Sequence, residues 1–165
     1  MVEARPLKLI AQEPEEVTAL SAALQDAVGK IGDFLYEPTK ARFTLVLNRY
    51  RWEAGARRKD KGERVRAAIQ AGSVTAAQSK RLRQDADDAV VCLLSLTFEP
   101  GEAPGGALVF TFAGGGELRL EVECVDLVLA DISEPWRAVR RPAHPDDDAD
   151  AGTAAGGQPS RRAGP

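Results

Sequence analysis

The stretch Phe110–Ile132, FTFAGGGELRLEVECVDLVLADI, decides how this chain is read. Three glycines, Gly114 to Gly116, stand between two apolar runs. A phosphate-cradling loop needs a strand, a Gly-rich turn, and then a helix whose N-terminus faces the anion. Here the residues after the glycines, ELRLEVEC, alternate apolar and polar with period 2, so they continue as strand. No Lys-Ser or Lys-Thr follows the glycines, and there is no GxGxxG. Glycines between alternating strands supply the positive φ that a hairpin turn requires. The stretch is read as a hairpin, and the chain as a small β-rich module.

The second arm carries more. Leu118, Leu120, Val122 and Cys124 alternate with Arg119, Glu121 and Glu123. Then the phase flips, and Val125, Leu127 and Leu129 form the apolar set. A period-2 pattern that slips by one residue predicts a β-bulge, or a strand crossing between two sheet surfaces, near Cys124 and Val125. Long bent strands of this sort build strongly curved sheets.

Working towards the N-terminus, AVVCLLSLTFE is an uninterrupted apolar strand, and PGEAPGG after it is a loop by composition. GDFLYE, EPTK and ARFTLVLNRYRWE read as strand, turn, strand. ERVRAAIQAG places Val65, Ala67, Ile69 and Ala71 on one side, which favours a strand; its alanines leave a helix in competition. VTAAQSKRLRQDADD is ambiguous. PLKLIA is an edge strand with Pro6 at its start. Between it and the sheet, Val17, Leu20, Ala23, Leu24, Ala27 and Val28 repeat at helical spacing, with Pro14, Glu15 and Glu16 suited to the first turn. The expected fold is α+β: an N-terminal amphipathic helix packed on a curved, mostly antiparallel sheet of about six to seven strands. Residues 1–140 form a single domain. Residues 141–165 form a disordered acidic, Gly- and Ala-rich tail, which lacks the apolar residues needed to offset its ordering entropy.

The chain of 165 residues has a net charge of -3, too mild to mark a polyanionic partner by itself. Its N-terminus has no apolar run of signal-peptide length, and no run anywhere spans a bilayer, so the expected setting is cytoplasmic with no membrane partner. Two cysteines, Cys92 and Cys124, lie inside apolar runs without a CxxC and are expected to be buried free thiols. The single histidine, His144, lies between prolines in the expected tail, so no triad and no His-based metal site is available. DDDAD, Asp146 to Asp150, lacks calcium-loop spacing. Glu121 and Glu123 read as a solvated strand face. No catalytic, cofactor-binding or metal residue is assigned, and no cofactor is called for. Pro135 and Trp136 follow the last strand, where Trp136 is expected to close one end of the core.

Charge placement singles out one surface. RYRWEAGARRKDKGERVR, residues 49–66, sets eight basic residues against Glu53, Asp60 and Glu63. Arg49, Tyr50, Arg51, Trp52, Arg57, Arg58, Lys59, Lys61 and Arg64 form a candidate binding surface, since cations with interleaved aromatics track a phosphate backbone and stack bases. A solvated hairpin tip is the plainer alternative. The favoured function is a non-enzymatic binding or assembly module, with a protein partner or a second copy of the chain. A nucleic-acid-binding accessory protein using residues 49–66 is the alternative. A small-ligand site inside the curved sheet, lined by Arg49, Arg51, Glu121 and Glu123, is a third.

PLKLIA, LQDAV, Gly32-Asp33, RFTLVLNRYRWE, LTFEPGEAP, TFAGGGELRLEVEC, Pro135-Trp136 and RPAHP together resemble a family of short alphaproteobacterial proteins classed as a domain of unknown function. The resemblance runs from about Pro6 to Pro145 and implies a bacterial cytosolic setting. It implies no activity, cofactor or site residue.

Overall fold

The computed structural model describes residues 5–54, 61–139 and 142. The segment from residue 143 onward, with His144, lies outside them, as do Arg57, Arg58 and Lys59. Strand β1, Lys8–Ala11, leads through a short turn into helix α1, Val17–Leu24. Then come β2, Ala27–Lys30; β3, Phe34–Glu37; β4, Arg42–Tyr50; β5, Glu63–Ala71; and β6, Val74–Lys80. β7, Val90–Pro100; β8, Gly106–Phe112; β9, Glu117–Val122; β10, Leu127–Asp131; and the short β11, Trp136–Arg137, follow.

All described pairings are antiparallel, in the order β1-β10-β5-β4-β2-β7-β8-β9-β6, with β3 also on β4 and β11 also on β5. Among the described residues the sheet has 11 strands, more than the six to seven expected. One run that read as a single strand is broken in two, where a corner separates β9 from β10. β2 comes from residues expected to end the helix, and a 3-10 turn at Ile31–Asp33 separates it from β3. The two-residue β11 and the ambiguous β6 add the rest.

That corner is the phase slip seen in the sequence. β5 pairs with β10, and its continuation β6 pairs with β9, so the two chain passes form one long ribbon. The ribbon folds over between Ala71 and Val74 on one pass and between Val122 and Leu127 on the other. Gly72 N–H donates to Asp126 O at 2.9 Å and Glu123 N–H donates to Ser73 O at 3.0 Å, which holds the fold-over together. One layer, β1-β10-β5-β4-β3, is thereby wrapped towards the other, β7-β8-β9-β6, and both turn their apolar sets onto one core. Leu45, Leu47, Ile69, Leu93, Leu108, Phe110, Leu120, Leu127 and Leu129 are among its buried members.

The glycines form the hairpin turn between β8 and β9. Gly114 and Gly115 hold φ of 83° and 89°, and Phe112 N–H donates across the turn to Gly116 O. Helix α1 is shorter than its apolar stripe. Asp26 takes a positive φ of 62° and donates its N–H to Leu93 O, so Ala27 and Val28 leave the helix and pair with β7. Val17, Leu20 and Leu24 are buried against the core, each worth about 1.5–3 kcal/mol on burial. Trp136 does not close the core: it is 40% exposed, and Ala138, at 2%, takes the buried position beside the end of the sheet. Its place on β11 turns the indole outward. Cys92 and Cys124 are free and half-buried.

Candidate functional site

Two places were candidates for function: the basic hairpin between β4 and β5, and any cavity in the curved sheet. They differ in what they leave available.

β4 sends alternate residues inward. Phe43, Leu45 and Leu47 enter the core, and the same alternation puts Arg49 there, 0% exposed. β10 does likewise with Leu127, Leu129 and then Asp131, whose side chain is 2% exposed. The two end residues meet. Arg49 Nε donates to Asp131 Oδ1 at 2.7 Å and Nη2 to Oδ2 at 2.8 Å, a two-pronged pair. Arg49 Nη2 and Nη1 also donate to Glu53 Oε1 and Oε2, at 2.7 and 3.0 Å. Nη1 makes a further bond to Tyr50 O at 3.3 Å. All five guanidinium N–H groups are therefore engaged. Burial alone pushes the Arg49 guanidinium down, but the bonds to Asp131 and Glu53 outweigh it and hold the group firmly charged. Burial pushes the Glu53 carboxyl up; the Arg49 bonds overcome this and leave it below the ordinary carboxylate range.

The neighbours are also occupied. Arg51 is 9% exposed and pairs with Glu63 at 3.2 Å. Tyr50 is 2% exposed and packs edge-on against Trp52, with ring centroids 4.6 Å apart. Trp52 Nε1 donates to Gln25 O. Arg64 is half-buried, donates to Asn48 O at 3.0 Å, and lies 5.9 Å from the Tyr50 ring centroid. Burial lowers the Arg64 pKa, and burial raises that of the nearby Cys92 thiol, which stays protonated. Of the named residues that are described, Lys61 stands out in solvent. The structure thus brings Arg49, Tyr50, Arg51, Trp52 and Arg64 together, largely as an internal polar cluster closing one end of the core.

The cavity lies elsewhere. β3 pairs only with β4, and β6 only with β9, among the described residues. Their other edges flank a cleft of about 340 Å³, bounded also by the segment from Leu82 to Asp87. Phe43 and Leu118, both buried, and Phe34, Tyr36, Ala77 and Leu82, packed on the core, supply its apolar lining. Gln78, Ser79, Gln84 and Asp87 supply its polar groups. Tyr36 and Phe43 stack at 5.8 Å. Gly32 lets the covering segment approach: it donates its N–H to Asp87 O, and a Cβ there would lie 2.8 Å from Asp87 Cβ. Arg49, Arg51, Glu121 and Glu123 do not line this cleft. Glu121 and Glu123 border a separate hollow with the 101–106 turn, and Glu121 accepts from Arg119 Nε at 2.9 Å.

Sequence reading missed the cleft because its lining comes from five separate stretches between Ile31 and Leu118. Among the described residues no group of three His, Cys, Asp or Glu is placed to hold a metal ion, and no helix is long and apolar enough to cross a membrane.

Residues 7–144 match the model of a family described as "Protein of unknown function (DUF2948)". No curated protein and no solved structure matches the chain.

Proposed function

From the premise that the chain belongs to this family of proteins of unknown function, we propose that it is a binding module whose ligand enters the cleft between β3 and β6. The observation that carries the reading is the cleft itself. Its volume of about 340 Å³ falls in the range of small-molecule sites, which are mostly apolar with a few convergent polar groups. The lining carries no cation and one carboxylate, Asp87, so it suits a neutral or cationic amphipathic molecule with an aromatic or aliphatic body. The internal engagement of Arg49 and Arg51 supports this reading over phosphate tracking by the hairpin.

The test is a fluorescence titration with 1-aminoanthracene, an apolar, weakly basic probe. Wild-type protein is expected to bind it in saturable fashion, and Ala77→Phe, which fills the cleft, is expected to lose binding while keeping its far-UV dichroism. Equal binding by both proteins would sink the proposal. A parallel titration with labelled single-stranded RNA addresses the hairpin. Salt-sensitive binding that Lys61→Glu removes would move the function there.

A further inference from the structure

The core rows of the β7-β8-β9-β6 layer run out before they fill the cleft. Strand register places Phe110, Leu118 and Ser79 in one row across β8, β9 and β6, and Leu108, Leu120 and Ala77 in the next. Each row descends from large side chains to a small one at β6. Leu118 and Leu120 are buried, so Ser79 and Ala77 share their inner side of the sheet, and both line the cleft. The backbone of β6 is open on the same side. Among the described residues, residues 76–80 make backbone hydrogen bonds only to β9. Such an edge presents a row of N–H and C=O groups ready to pair with another strand. At the start of β6 the cleft is shut, because Val74 N–H donates to Ala41 O at 2.8 Å.

Resting on the reading that this cleft is a binding site, we propose that its ligand is an extended peptide that adds to the free edge of β6. Main-chain hydrogen bonds hold such a peptide, and its alternate side chains point to one side of the enlarged sheet. Two of them, at i and i+2, continue the two rows and enter the cleft as apolar groups facing Phe34 and Tyr36 of β3. Charge is matched at Asp87, which is exposed on the cleft and has no ion-pair partner among the described residues. It favours a Lys or Arg next to the apolar pair.

The test uses fluorescein-labelled KTFTLTK amide, whose Phe and Leu stand two residues apart with a Lys beyond each. In fluorescence anisotropy the full chain is expected to bind it saturably, Asp87→Lys to weaken it, and Ala77→Phe to lose it. N–H groups alternate between the two edges of a strand, so N-methylation of the Phe and Leu, or in a second peptide of the first two Thr, blocks one edge only. One of these peptides is expected to lose affinity about tenfold or more and the other to retain it, as two lost backbone hydrogen bonds require. Equal affinities for the two methylated peptides overturn strand addition. So does KTFTLTK binding that Ala77→Phe leaves unchanged. If 1-aminoanthracene binds and Ala77→Phe abolishes it, the cleft stands as a binding site. If that same protein neither binds KTFTLTK nor enriches peptides with apolar residues at i and i+2 from a random heptapeptide phage library, the peptide proposal alone falls.

Discussion

Arg49 has no free donor to offer a ligand, and its value to the molecule is internal. Asp131 is as buried as its partner and also accepts the Leu7 N–H at 2.8 Å, which ties down the start of β1. Replacing Arg49 by Met removes the cation and leaves a buried carboxylate unpaired, which is expected to cost about 3–5 kcal/mol in urea unfolding. Adding Asp131→Leu should recover part of the loss, but not all of it, because Leu7 N–H then lacks its acceptor. A loss below about 1 kcal/mol for the single variant would show that the pair is not buried as described. Both inward positions were legible in the sequence: Arg49 extends Phe43, Leu45, Leu47, and Asp131 extends Leu127, Leu129. Counting charges along residues 49–66 obscured what strand alternation already stated.

Among the elements, α1 is held by more than its apolar stripe. β7 pairs irregularly with β8 between Leu93 and Ser95, and the Leu96 N–H donates to Ser21 Oγ on the helix at 2.9 Å. Leu96 is 2% exposed, so Ser21→Ala strands a buried donor. The expected cost is about 1–3 kcal/mol by thermal or urea unfolding, and a neutral result would mean that water reaches the Leu96 amide. The hairpin at the glycines, the edge strand β1, and β4, β5 and β7 were all legible, because each carries period-2 alternation or an apolar run bounded by turn residues. The slip at Cys124 and Val125 was legible as a bulge or a crossing between sheet surfaces, and the chain breaks there at the corner between β9 and β10. β6 was not: VTAAQSK has only Val and Ala for its apolar set, and among the described residues one of its edges has no strand beside it. The end of α1 was misjudged because Ala27 and Val28 fit both the helical stripe and a strand, and pairing with β7 decided between them.

At the scale of the molecule, the two layers have no separate cores. Because the ribbon of β5–β6 and β9–β10 belongs to both, neither layer survives the loss of the other. Urea unfolding followed by the fluorescence of Trp52 and Trp136 and by far-UV dichroism should give coincident single transitions. Separated midpoints would mean that one layer folds alone. The curved antiparallel architecture was legible from strand patterning. The cleft was not, because it depends on register between distant strands. That register also shapes how the chain acquires its structure during synthesis. β1 is made before every other strand described, yet residue 8 pairs with residue 130. Its ladder partner among the described residues, β10, emerges only after β2 to β9. The nascent chain must therefore hold β1 without this partner until the strands between them have been made, and this layer is completed by late contacts rather than early ones.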